Sequence, residues 1–230
     1  RRQRQMCIRD SVPTGEPPIS KDSLVAFLEL TVSPLIEEIG FRITPMGTLL
    51  LFYLLTVERE RRALTTFGLR LKFFFLAFLY PQKAKKMVGV RTVDDSGIWK
   101  GISLAEWILV LLTSAVFGLA HYLYGGTWEI GKITSASVQG FVMGFTYLLY
   151  GVQAPILLHW FFNYYAYTYS LASEIYPSIS ALYLLLDTVT SILGRLGWLT
   201  IAVLGIRKIV NVIVGKPSGP EMPETKAFNG

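Results

Sequence analysis

Cysteine is nearly missing from this chain: Cys7, in a polar arm, is the only one among 230 residues. That count excludes a disulfide framework and a cysteine-rich zinc site. Charge is scarce too. Asp, Glu, Lys and Arg make up 17% of the chain, against about a quarter in an ordinary soluble domain. Histidine occurs only twice, as His121 and His159. No internal repeat is visible, and no secretory signal pattern opens the chain, because a basic arm is followed by the polar stretch from Asp10 to Asp22.

What the chain has in quantity is apolar. Hydrophobic residues make up 52% of it, gathered in runs parted by short polar joints, and the mean hydropathy is +0.44. Scattered core positions of a soluble domain do not produce such runs, so the chain falls in the membrane class. The net charge of +6 comes mainly from clusters outside the runs. Arg1, Arg2, Arg4 and Arg9 form the arm, Arg59, Arg61 and Arg62 follow one run, Lys83, Lys85 and Lys86 follow another, and Arg207 and Lys208 lie near the end. Charge at the ends of apolar spans sets membrane orientation and contacts anionic lipid. The expected partner is therefore membrane lipid, with no nucleic acid.

A span needs about 20 mostly apolar residues. The first runs from Leu24 to about Thr44 and carries Glu29, Glu37 and Glu38. Gly47–Val57 follows Pro45 and is too short to cross unless it shares residues with the first. Leu64–Tyr80 reads as a short span or an interfacial helix, with Arg70 and Lys72 inside it. From Gln82 to Ile102 the polar composition reads as a loop. Three clear spans follow at Leu104–Tyr124, Ile133–Tyr150 and Val152–Ala172, the second with Gly140 and Gly144 at a spacing that lets helices approach closely. Ser178–Val214 accommodates two short or tilted spans broken near Gly194–Gly197. The expectation is an all-α, polytopic transmembrane bundle of about six spans. Its organisation is a polar arm over 1–22, one membrane domain over 23–215 and a disordered tail over 216–230.

An ionisable group at mid-bilayer costs about 2.5–3.5 kcal/mol, so it faces the bundle interior and finds a partner. The groups so placed are Glu37, Glu38, Arg42, His121, His159 and the amide Asn163. Glu38 and Arg42, four apart, share a helix face and can pair. Glu37 is rotated by about 100° and is left free of that face. His159 and Asn163 are likewise four apart. Taken singly, each has an ordinary explanation: a buried ion pair, a packed histidine, an amide joining two helices. Taken together they require several unrelated costly burials, and one shared polar site is the simpler account.

Three motifs carry a resemblance. Glu37-Glu38-Ile39-Gly40-Phe41-Arg42, then Phe117-Gly118-Leu119-Ala120-His121, then His159-Trp160-Phe161-Phe162-Asn163 resemble, in order and in apolar context, the E-E-x-x-x-R, F-x-x-x-H and H-x-x-x-N signatures of the CPBP intramembrane proteases. That family includes the CAAX prenyl endopeptidases of the Ras-converting type. The resemblance covers roughly Pro34 to Tyr165. It implies an intramembrane endopeptidase acting on a lipidated or transmembrane peptide, with Glu37 as general base, His121 helping to hold the water, His159 and Asn163 as oxyanion donors, and Glu38 and Arg42 bracing the first helix. A zinc alternative would use Glu37, His121 and His159 as a His₂Glu site. The absence of H-E-x-x-H spacing and the presence of Arg42 beside the acids favour a metal-free mechanism. Two other classes compete. One is a proton-coupled transporter, which usually shows repeats and interrupted helices, and the other is a catalytically silent scaffold of the same fold.

Overall fold

Asp22 opens the first helix. Its carboxylate accepts from the N–H groups of Leu24 and Val25 at 2.9 and 3.0 Å, satisfying two of the donors that a helix start leaves free. Helix α1 runs Ser23–Glu38, passes through a π-helical turn at Ile39–Ile43 and continues as α2, Thr44–Arg61. The two apolar runs on either side of Pro45 are thus joined by helix throughout. This computed structural model describes residues 13–15, 20, 22–61, 64–168, 172 and 175–214. Cys7, most of the expected arm and the tail expected over 216–230 lie outside the described residues.

The chain divides into two compact units, Arg1–Thr168 and Tyr169–Gly230. In the first, α2 is followed by α3 (Phe67–Leu79), α4 (Pro81–Met87), α5 (Val93–Ser96) and α6 (Ile98–Gly101). Then come α7 (Leu104–Tyr124), α8 (Gly131–Tyr150) and α9 (Gln153–Asn163), the last prolonged by a π-helical turn at Tyr164–Thr168. The second unit holds a 3₁₀ turn, Pro177–Ile179, and α10, Ser180–Ile213. Among the described residues there is no strand, only an isolated bridge between Gly15 and Trp128. The class is all-α.

Helices α7 and α8 pack antiparallel through glycines. A Cβ built on Gly140 would lie 3.1 Å from both Ser114 Cα and Arg42 Nη2, and one on Gly144 would lie 3.4 Å from Val110. The small residues let α8 approach α7 closely. At the other end of α8, Gly151 turns the chain with φ +87°, a region open to glycine. There Val152 N–H donates to the Leu79 carbonyl at 2.9 Å.

Two expectations are corrected here. The stretch from Gln82 to Ile102 is not a loop but is built from α4, α5 and α6. Lys85, read as part of a basic flank, is 2% exposed. Its ammonium donates to Glu106 at 2.9 and 3.1 Å and to the Gly101 carbonyl. Glu106 in turn accepts from Ser103 N–H at 2.7 Å in a capping box that starts α7. A tertiary ion pair, not local propensity, orders the segment. The second correction concerns Ser178–Val214, which does not break at Gly194–Gly197. It is one helix of 34 residues, roughly 50 Å long at 1.5 Å per residue, and glycine is tolerated inside apolar helices in lipid.

Two helices among the described residues are long and apolar enough to cross a membrane, Leu104–Tyr124 and the one within Pro177–Asn211. On α7 the apolar Leu111, Leu112, Val116, Leu119 and Leu123 are all exposed. In the second unit α10 exposes Leu193, Trp198, Ile201, Leu204 and Ile209 among others. Rows of exposed apolar side chains of this kind mark a surface for lipid or another apolar partner.

Candidate active site

Pro34 prepares the docking of α9 on α1. It has no N–H to give to the Leu30 carbonyl one turn earlier, so a backbone acceptor is left free in mid-helix. In an apolar medium a neighbouring helix must supply donors, and α9 does. Asn163 Nδ2 approaches the Leu30 carbonyl and Ser33 Oγ, each at 3.5 Å. Trp160 Nε1 donates to the Thr31 carbonyl at 2.8 Å, and the Thr31 and Tyr164 hydroxyls meet at 2.7 Å. His159, one turn before Asn163, is thereby aimed at the end of α1.

That end holds the two acids. Glu38 Oε1 accepts from Arg42 Nη1 at 3.0 Å and from His159 Nδ1 at 2.8 Å. Both Glu38 and Arg42 are 0% exposed. The Arg42 guanidinium lies 4.0 Å above the centroid of the Phe117 ring, and Gly140 makes room for it on α8. Glu37 points elsewhere, as the helical offset from Glu38 requires. Its Oε2 lies 3.8 Å from His121 Nε2 and 3.7 Å from His159 Nε2, and it is buried without a hydrogen-bond partner among the described residues. These separations are long for a direct hydrogen bond and suit a small molecule held between the three atoms.

The protons on the imidazoles follow from their partners. His121 Nδ1 lies 2.9 Å from the Phe117 carbonyl, which only accepts, so Nδ1 carries the proton and Nε2 faces Glu37. His159 Nδ1 likewise donates to the Glu38 carboxylate, and its Nε2 also faces Glu37. Both rings present the same nitrogen to the same oxygen.

Simple counting places His121 and His159 about 15 Å apart in depth, since they stand at different distances into parallel helices. The helix boundaries agree with the sequence reading to within two residues at all three spans' N-terminal ends, so α9 must be displaced or tilted relative to α7. Phe117 shows part of the adjustment. Its ring is 4.4 Å from His121, which folds back one turn, and 6.0 Å from His159.

The structure therefore brings Glu37, Glu38, Arg42, His121 and His159 together, with Asn163 one turn away on α9 and facing α1. Sequence reasoning missed Pro34, Thr31 and Tyr164, whose signal is the proline inside a span. It also missed Lys132, which lies just outside the run that begins at Ile133. Lys132 packs on the Trp128 ring at 3.8 Å and acts electrostatically on Glu37. Glu37, His121 and His159 have the donor types of a His₂Glu zinc site, although among the described residues no three such side chains are grouped as metal ligands.

Residues 20–165 match the type II CAAX prenyl endopeptidase Rce1-like family. No curated protein and no solved structure matches the chain. The family match takes in α1 to α9, hence all three motifs, and spans more than half of the sequence. The chain accordingly belongs to the type II CAAX prenyl endopeptidase Rce1-like family, membrane-embedded proteases that act on prenylated substrates.

Proposed function

We propose that the chain hydrolyses a peptide bond of a lipidated or membrane-embedded substrate within the bilayer, using water activated by Glu37 and no metal. The observation that carries this reading is the buried Glu37 Oε2, without a hydrogen-bond partner among the described residues, facing two imidazole Nε2 atoms. In this scheme water lies between them. Glu37 takes a proton from it while His121 Nε2 accepts the other O–H, and the water oxygen attacks the scissile carbonyl carbon. The carbonyl oxygen becomes an oxyanion. His159 donates to it from Nε2 when both ring nitrogens are protonated, with Nδ1–H held on Glu38. The Asn163 amide has two N–H donors, so one can point at Leu30 while the other serves the oxyanion. Glu37 then passes its proton to the leaving nitrogen, and the C–N bond breaks.

The metal-free choice rests on charge. The Arg42 guanidinium, held on Glu38 at 3.0 Å, stands beside the donor set and opposes a second cation there. The same reading takes the chain as multi-pass, with about six crossings. The deciding experiment is cleavage of a farnesylated CAAX peptide by purified wild type and Glu37→Gln, before and after rigorous chelation, with elemental analysis. Expected are turnover that survives chelation and is lost in the variant. Stoichiometric zinc lost together with activity would overturn the metal-free mechanism, and unchanged turnover in Glu37→Gln would overturn the role of Glu37.

A further inference from the structure

Two cations at the other end of α7 from His121 have no part in the scheme above. Gly89 closes α4 with φ +69°, and Val90 N–H folds back to the Lys85 carbonyl at 2.9 Å, a helix stop that glycine makes without strain. Arg91 follows at once. Gly101 closes α6 against the start of α5, where a Cβ built on it would lie 2.5 Å from the Thr92 carbonyl oxygen and from Val93 N. This backbone contact brings Lys100, one residue before Gly101, to the same place as Arg91, one residue before Thr92. Both line a cavity of about 370 Å³, within the range of about 300–1,000 Å³ usual for small-molecule sites. Its buried lining includes Lys85, Glu106 and Gly101, whose polar groups are already bonded to one another. Arg91 and Lys100 are exposed, and among the described residues they make no ion pair and donate no side-chain hydrogen bond. The only acid in the lining, among the described residues, is the Glu106 that Lys85 neutralises.

We propose that this cavity binds the phosphate of an anionic phospholipid between Arg91 and Lys100. Two like charges held at one cavity repel each other, and a phosphate relieves both at once. The guanidinium offers it a planar fork of donors, and the ammonium offers three more. The level of the cavity in the fold selects a lipid over a soluble anion. It lies where the apolar span Leu104–Tyr124 begins, the depth at which headgroups meet hydrocarbon. Trp99, beside Lys100 in the chain, is 72% exposed and stacks on Trp107 of α7 at 6.0 Å. Tyr53 lines the cavity from α2. Aromatic rings with a polar edge settle at that boundary, and the exposed Trp99 and Leu104 leave apolar surface for the acyl chains. Glu106 and His121 stand roughly 22 Å apart along α7. The lipid site is therefore separate from the catalytic groups and does not rest on the protease reading.

The test titrates dioctanoyl phosphatidylglycerol into the full chain in an uncharged detergent at low salt and follows Tm. A saturable rise is expected, and dioctanoyl phosphatidylcholine should produce little of it. Arg91→Gln and Lys100→Gln should each raise the apparent Kd about fivefold, and the double variant about thirtyfold. Lys86→Gln is the control, because Lys86 is an exposed lysine of α4 outside the cavity lining, and it should bind as the wild type does. An equal loss with Lys86→Gln shows diffuse attraction to a basic surface and overturns the proposal. An unchanged Kd in the double variant, or equal binding of the two lipids by the wild type, overturns it too. Inorganic phosphate at the same concentration should leave Tm unmoved. If it reproduces the rise, the cavity takes a soluble anion and the lipid assignment fails. Should a variant fold poorly, the wild-type comparison of the two lipids and inorganic phosphate still decides.

Discussion

Two buried clusters of charge lie in the first unit, and they differ in how completely they are bonded. Around Lys85 the bonding is closed: its ammonium meets both Glu106 oxygens and the Gly101 carbonyl, and Glu106 also accepts from Ser103. Around Glu37 it is open. Glu37 Oε2, Glu38 Oε2, and Arg42 Nε and Nη2 are buried with no hydrogen-bond partner among the described residues. An unmade bond at a buried polar atom costs about 1–3 kcal/mol, so a cluster that exists only to hold helices together is expected to close, as the Lys85 cluster does. Open valences concentrated at one place signal a site that works on something else.

The sharpest way to break this comparison is to blunt Glu37. Glu37→Gln keeps the shape and removes the base. If the open cluster is catalytic, kcat should fall by roughly 10²–10⁴-fold, while thermal stability in detergent stays near wild type because the Glu37 side chain makes no hydrogen bond among the described residues. A large fall in Tm would mean that Glu37 is structural and that the two clusters are alike.

The opposite outcome is expected at Lys85. Lys85→Met leaves the Glu106 carboxylate buried without its cation and should destabilise the protein by about 3–5 kcal/mol. The double variant Lys85→Met/Glu106→Leu should recover part of that loss, since apolar residues commonly replace a buried pair without penalty, while the Ser103 N–H and the Gly101 carbonyl stay unpaired. Denaturant titration of the two variants checks both statements. At Glu38 and Arg42 the same apolar exchange is expected to leave activity lost, because His159 Nδ1 would have no acceptor.

The contrast also explains what could be read from sequence. The motif residues were legible because an acid, a guanidinium and both imidazoles inside apolar runs are individually costly, and helical offset alone separates Glu37 from Glu38. The bounds of α7 were legible from the unbroken apolar run Leu104–Tyr124. The Lys85 cluster was not, because Lys85 and Glu106 lie 21 residues apart and each looks like an ordinary flanking charge. Short helices such as α5 and α6, of four residues each, have no periodicity to detect. The unbroken α10 was missed because glycine signals a break in water more strongly than in lipid. Lys132 was missed because a lysine at the edge of a span is usually an interfacial anchor.

A smaller effect is expected where the open cluster meets the helix packing. Gly140 has Ser114 Cα, Phe117 Cδ1 and Arg42 Nη2 within 3.1–3.2 Å of where a Cβ would stand. Gly140→Ala should therefore push α8 from α7 and cost about 1–3 kcal/mol, as overpacking does. It should also displace Arg42 and lower activity. Gly144→Ala, with its nearest neighbour at 3.4 Å, should be milder on both counts. If the two alanine variants behave alike, the guanidinium is not held where the packing places it.

The smallest effect probes how the site is held open from the outside. Pro34 withholds an N–H from the Leu30 carbonyl, and the Asn163 amide approaches that oxygen at a long 3.5 Å. Pro34→Ala would give the Leu30 carbonyl its ordinary helical partner. The helix should gain stability, but α9 loses a reason to dock there, and the aim of His159 and Asn163 loosens. The net change in Tm should be slight, and kcat should drop by about fivefold, the equivalent of one ordinary hydrogen bond of about 1 kcal/mol. KM should hardly move, because no group that binds substrate has been touched. A kcat equal to wild type would show that Trp160 on the Thr31 carbonyl, at 2.8 Å, is sufficient by itself to place α9.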